Sequence, residues 1–169
     1  TARAVTSTVP RVAMSEILWP RKGRSTSRLA SPVETTGLPP ACVMAGTAAS
    51  TCRQVVTDLR NQGEKVGLVK IKMFRPFPVD LMRRLLGGAE RIAVVDRNIS
   101  FGLGGIFAQE IRAALYNHAD RPHLFGYITG LGGRDVTPEI LTRIYEETRN
   151  AHPPPPDAPI WMGLNEQSG

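Results

Sequence analysis

The chain is poor in cysteine, in aromatic residues and in long apolar runs, and each shortage removes a class of function. Cys42 and Cys52 are the only cysteines, and no C-x-x-C pair is present. Two thiols do not make a disulfide framework, and structural zinc and iron–sulfur sites usually take four ligands, so this chain supplies neither alone. Both are expected to be small core residues in a reducing cytoplasm. Aromatics make up 6% of the residues, and no basic stripe is interleaved with them, which argues against nucleic acid as a partner. No apolar run approaches the roughly 20 residues of a membrane-spanning helix, and no compact apolar segment near the start reads as a secretory signal. A membrane is therefore not an expected partner, and the expected location is cytoplasmic. His118, His123 and His152 lie near no cluster with ligand spacing. There is no Gly-x-Ser-x-Gly elbow, His-Glu-x-x-His pair or Walker-type glycine-lysine loop. No catalytic residue and no metal ligand are assigned.

What is present is one domain's worth of ordinary globular sequence: 169 residues, 41% hydrophobic, with a formal charge of +6. The charge is unevenly spread. Residues 1–40 hold six basic and two acidic residues, a net of 6 − 2 = +4, and residues 41–169 hold fifteen and thirteen, a net of 15 − 13 = +2. Residues 1–40, rich in Ser, Thr, Arg and Pro, read as a flexible or atypical leader, with a short edge strand expected at Ser31–Thr36. Residues 41–150 read as the folded α/β domain, and residues 151–169 as a Pro-rich tail.

Within the domain, strand and helix signals alternate four times. Strands are expected at Cys42–Ala45, Val66–Met73, Ile92–Val95 and His123–Ile128. Cys52, Val55, Val56 and Leu59 recur at the spacing of a helix face, with Thr47 or Ser50 as its cap and Gly63 as its stop. Pro78 suits the first turn of a second helix that buries Met82, Leu85 and Leu86. Gly104-Gly105 opens a third, carrying Phe107, Ile111, Ala114 and Leu115 on one side. Thr137 caps a fourth, with Pro138 at its first position and Glu139 facing its positive end. Pro153–Pro156 should be an extended polyproline spacer, and Ile160-Trp-Met162 should dock on the body or on a partner. Alternation of this kind predicts a three-layer α/β/α fold with a mainly parallel sheet of four to five strands.

In a parallel sheet the strand C-terminal ends share one edge, where ligands of open α/β sheets bind. Gly46-Thr47, Arg75, Asp96-Arg97 and the Gly130–Asp135 loop all fall there. Arg97, Ser100, Gly102, Gly104 and Gly105 form a possible anion site, because glycines before a helix let backbone N–H groups approach a phosphate or carboxylate. The structural alternative pairs Asp96 with Arg75 or Arg97 and uses the glycines for tight packing. The cluster is not a dinucleotide fingerprint, since it lacks the third spaced glycine and follows the third strand instead of the first. Phe74 and Phe77 should anchor the turn around Arg75. Arg134-Asp135, after Gly132 and Gly133, reads either as a loop ion pair or as a contact to a neighbouring subunit.

Five stretches, taken in order, carry a resemblance: Val43-Met-Ala-Gly-Thr47; Gly63-Glu-Lys-Val-Gly-Leu-Val-Lys-Ile71 running into Arg75-Pro-Phe-Pro78; Val95-Asp-Arg-Asn-Ile-Ser-Phe-Gly102; Glu110-Ile-Arg-Ala-Ala-Leu115; and Tyr127 through Glu139. Residues from about Ala41 to Arg149 resemble the second domain of the 2-oxoacid:ferredoxin oxidoreductases, including pyruvate:ferredoxin oxidoreductase. In split enzymes of that family this region is the C-terminal part of the alpha subunit. The resemblance implies a fold like the transketolase C-terminal domain. It also implies an assembly that decarboxylates a 2-oxoacid oxidatively on thiamine diphosphate with magnesium. That assembly passes electrons through iron–sulfur clusters to ferredoxin and delivers the acyl group to coenzyme A.

The family's thiamine-binding first domain would precede Ala41, where this sequence has the leader. None of the family's catalytic residues falls on this chain. The expectation is thus a non-catalytic scaffold and interface domain that binds none of those cofactors by itself. Its partners would be the other domains or subunits and, through the complex, ferredoxin. Arg75, Asp96, Gly132, Gly133, Arg134 and Asp135 would serve structure and contacts. The alternative is a free-standing module that holds an anionic small molecule or coenzyme phosphate at the glycine-rich strand edge.

Overall fold

A computed structural model describes residues 40–163 together with the backbone of a two-residue strand, β1 (Ile17–Leu18). The further elements are β2 (Ala41–Ala45), α1 (Ala48–Asn61), β3 (Gly67–Ile71), α2 (Val79–Leu86), β4 (Arg91–Asp96), α3 (Ile106–Leu115), β5 (His123–Ile128), α4 (Pro138–Asn150) and β6 (Ile160–Trp161). The strands form one sheet in the order β1-β3-β2-β4-β5-β6. Strands β2 to β6 run parallel, and β1 pairs antiparallel with β3.

Side-chain alternation along the strands divides the core in two. In β4, Ala93 and Val95 face a cluster with α1 and α4, while Ile92 and Val94 face one with α2 and α3. A strand buried on both sides has no polar face to show, which is why Ile92-Ala-Val-Val95 is apolar throughout. The fold is thus the expected three-layer α/β/α arrangement with a mainly parallel sheet. Across the first layer, the buried Tyr127 hydroxyl meets Thr148 Oγ1 at 2.9 Å, and Thr148 donates to the Ile144 carbonyl at 2.8 Å. Burial pushes the Tyr127 phenol up to about 12.

Several local expectations shift. Thr47 stands at the N-cap position of α1 in helical geometry and makes no side-chain cap bond; its carbonyl accepts from Ser50 N at 2.8 Å. Pro78 is the residue before α2 instead of lying inside it. Thr137 does cap α4, its Oγ1 accepting from Ile140 N at 3.4 Å with Pro138 next. The hydrogen bond from Thr137 is the main reason the Glu139 carboxyl sits below its ordinary range. The edge strand expected at 31–36 lies outside the described residues. After α4 the chain returns to the sheet edge, bending at Pro153–Pro154, whose peptide is cis, instead of running straight as a polyproline spacer. Ile160-Trp-Met162 docks on the body: β6 pairs with β5, and Met162 is buried.

Candidate functional site

Asp96 ends β4, and its side chain turns under the start of α3. It is fully buried. Its Oδ1 accepts from Phe107 N at 3.0 Å and its Oδ2 from Ala108 N at 3.1 Å. Asn98 Oδ1 accepts from Ile106 N at 3.1 Å, and Asn98 Nδ2 reaches Asp96 Oδ1 at 3.4 Å. The unpaired N–H groups and positive dipole end of a helix are thereby met by the protein's own carboxylate and amide. Burial raises the Asp96 carboxyl above the usual range, and the Phe107, Ala108 and Asn98 hydrogen bonds oppose that rise.

Between Asp96 and α3 the chain makes a tight loop. Ser100 N donates to the Gly104 carbonyl at 2.8 Å, and Leu103 N and Gly104 N both donate to the Ser100 carbonyl, at 2.9 and 3.0 Å. Gly102 and Gly104 have positive φ, which glycine adopts without steric penalty. Gly105 is glycine for a different reason. Its φ is ordinary, but a Cβ there would overlap the Asp96 carboxyl group. The space that the sequence reserves at Gly105 is filled by Asp96.

The expected partners of Asp96 are engaged elsewhere. Arg75 pairs with Glu110 at 2.6 Å and lies over the Phe74 ring at 3.9 Å, while Phe74 meets Phe107 edge-on at 5.3 Å. Arg97 is exposed and directs Nη2 to the Gly130 and Arg134 carbonyls, each at 3.4 Å. A Cβ on Gly130 would come within 2.8 Å of Val136 and 2.9 Å of Arg97 Nε, and its φ is +71°. Arg134 donates to the Gly163 carbonyl at 3.2 Å and forms no ion pair with Asp135 among the described residues. Gly132 and Gly133, both at positive φ, shape the short 3₁₀ turn before Arg134.

The structure therefore gathers Arg97, Ser100, Gly102, Gly104 and Gly105 into one loop but commits its backbone inward. An entering phosphate would find the Ile106, Phe107 and Ala108 N–H groups taken and the Asp96 carboxylate beside them. The first-turn donors of α3 are thus taken before a diphosphate could reach them. Cys42 and Cys52 are free thiols beside each other; that contact and then burial push the Cys52 thiol up. At the opposite edge of the sheet, a cavity of about 360 Å³ is bordered by Glu64, Lys65, Arg91 and Arg149. Its charges are largely engaged with each other: Glu64 meets Arg149 at 2.6 Å and the Tyr145 hydroxyl at 2.9 Å, and Arg91 meets Glu90 at 3.1 Å. Sequence reading missed Asn98, Glu110 and this cluster, whose partners lie up to 85 positions apart.

Comparison with known proteins bears on the same elements. A family model described as pyruvate:ferredoxin oxidoreductase core domain II matches residues 40–141. Pyruvate synthase subunit PorA of Methanothermobacter thermautotrophicus is 40% identical over 126 residues, covering 75% of this chain and 31% of that subunit. Ketoisovalerate oxidoreductase subunit VorA of Pyrococcus abyssi is 43% identical over 104 residues, covering 62% of this chain and 26% of that subunit. The chain thus spans under a third of the curated relatives it matches. Among solved structures, a split-gene transketolase, described as an inactive beta4 tetramer, aligns with a TM-score of 0.51 at 13% identity over 77% of this chain and 45% of that one, a likeness of fold alone. With the family model matching residues 40–141, more than half of the chain, this chain belongs to the core domain II family of pyruvate:ferredoxin oxidoreductase.

Proposed function

We propose that the chain is a non-catalytic scaffold and interface domain of a 2-oxoacid:ferredoxin oxidoreductase in the cytoplasm. In such an enzyme a pyruvate-type 2-oxoacid is decarboxylated oxidatively to an acyl-CoA while ferredoxin is reduced. Thiamine diphosphate, magnesium, iron–sulfur clusters and coenzyme A would be held by other domains or subunits. One observation carries the reading: α3, the helix that opens after the glycine loop at this edge, has spent its first-turn donors on Asp96 and Asn98. The edge is built to hold a loop in shape. Residues 41–150 would form the domain body, with residues 1–40 and 151–169 as flanking segments.

A second reading, the anion-binding module, has its own observation. Arg97 and Arg134 sit together at this edge with no carboxylate partner among the described residues. The two readings separate by experiment. A scaffold domain co-elutes with the remaining subunits of the oxidoreductase and shows no thermal shift with coenzyme A, thiamine diphosphate plus magnesium, or pyruvate. A shift of several degrees with one of these, lost in Arg97→Ala, would replace the scaffold reading with the module.

A further inference from the structure

The loop after β4 holds two large apolar side chains in water. Phe101 is 93% exposed and Leu103 62% exposed. Monomeric surfaces do carry single exposed apolar residues, but this pair stands on a loop whose backbone is hydrogen-bonded within itself and to α3. Ser100 and Gly104 close it through two backbone hydrogen bonds, Leu103 N adds a third to the Ser100 carbonyl, and the Gln109 side chain donates to the Leu103 carbonyl. Asp96 and Asn98 pin its far end to α3, and Gly104 lies against Pro159 ahead of β6. The braced backbone keeps the Phe101 and Leu103 Cα positions at a set spacing, so little backbone entropy is lost when the two side chains are buried by a partner.

We propose that Phe101 and Leu103 form a docking knob that inserts into an apolar socket, rimmed by carboxylates, on another part of the same oxidoreductase; this rests on the scaffold reading above. Two observations select that occupant. The first is charge. Arg97, four residues before Phe101, and Arg134 flank this edge without a carboxylate partner among the described residues, and Asp135 pairs with neither. Two copies of the chain meeting knob to knob would bring these guanidinium groups together, whereas an acidic rim would neutralise them. The second is length. Matched relatives carry this domain within subunits of which it spans 31% or less, so in them most of the polypeptide lies outside it and has to pack somewhere. A knob on a braced backbone suits a shaped protein socket; insertion into lipid makes no use of that bracing.

The test is assembly of the purified chain with the other subunits of its oxidoreductase, followed by light scattering after gel filtration. Four chains are compared: wild type, Phe101→Ser, the double change Phe101→Ser/Leu103→Ser, and Arg97→Glu. Circular dichroism of each alone shows whether it is folded; both knob positions are exposed, and Phe101→Ser provides a milder version if the double change does not fold. The proposal expects wild type to join the complex, Phe101→Ser to weaken assembly at least tenfold, and the double change to abolish it. Arg97→Glu should weaken it and make the loss depend on salt. Wild type and double variant joining equally would overturn the knob while leaving the scaffold reading intact. Failure of wild type to join would overturn both. Self-association of wild type that the double change removes, or flotation of wild type with anionic vesicles that it removes, would assign the knob to a second copy or to a membrane and refute the proposal.

Discussion

Replacing Asp96 with alanine tests the central claim that the glycine edge is organised around an internal anion. The substitution deletes the two Asp96 acceptors at the first turn of α3 and leaves the Phe107 and Ala108 N–H groups without partners, while Asn98 still meets Ile106. A buried donor left unsatisfied costs about 1–3 kcal/mol, and loss of a helix-capping side chain typically about 1 kcal/mol. Against this stands relief from holding a carboxylate in a buried position. A net loss of about 3 kcal/mol is therefore expected, which for a domain of this size lowers the melting temperature by roughly 10–15 °C. Urea unfolding followed by circular dichroism measures the loss, and amide hydrogen exchange locates it. The Phe107 and Ala108 amides should exchange much faster in the variant. A loss below about 1 kcal/mol, with those amides still protected, would show that the α3 terminus does not depend on Asp96 and would refute the reasoning.

Asp96→Asn keeps one acceptor and should cost less than Asp96→Ala, with a telling pH dependence. Because burial raises the Asp96 carboxyl above its unfolded value, the folded protein holds that proton more tightly; the group's contribution to stability is full below the unfolded pKa and declines as pH rises through the folded one. Wild type should therefore gain relative to Asp96→Asn as pH falls towards about 4, and a gap that narrows on acidification would contradict the assigned direction. Gly105→Ala should destabilise by about 1–3 kcal/mol, because the new methyl overlaps the Asp96 carboxyl, and less so when combined with Asp96→Ala. Additive losses in the double-mutant cycle would break that link. Tyr127→Phe, which deletes the hydroxyl facing Thr148, should cost about 1 kcal/mol in urea unfolding. Arg75→Ala should cost less than about 1 kcal/mol, since the Arg75–Glu110 pair is solvent-exposed, and a larger loss would mean that the contact with Phe74 carries the turn.

The layer architecture was readable because each element states its own burial locally. Val55, Val56 and Leu59 repeat with a helix's period, and Ile92–Val95 carries the unbroken apolar run of a strand covered on both faces. Thr137-Pro138 marks a helix start within two residues. The edge chemistry was less readable, because it depends on which distant groups the fold brings together. Arg75 finds Glu110 from 35 positions away, across the turn where Phe74 meets Phe107. Asp96 caps a helix that begins ten residues later only because Ser100–Gly104 doubles the chain back. The glycines before α3 invite the idea of an incoming phosphate, yet a missing Cβ makes room for an internal carboxylate in the same way. Only the position of Asp96 distinguishes the two.

That distinction also explains why the apolar tip sits where it does. A helix end left open to an outside anion would be a variable support, ordered when the ligand is bound and frayed when it is not. Closed by Asp96 and Asn98, the α3 terminus has its first-turn donors satisfied from within the chain, and the loop is anchored to it. Phe101 and Leu103 are exposed at the end of this braced segment, beside guanidinium groups without acidic partners. A surface meant to stay solvated gains nothing from such bracing, because solvent accepts any side-chain direction. A surface meant to meet another protein gains directly, since a backbone fixed in advance is one that binding does not have to freeze. The internal carboxylate and the exposed apolar tip are thus two ends of one device.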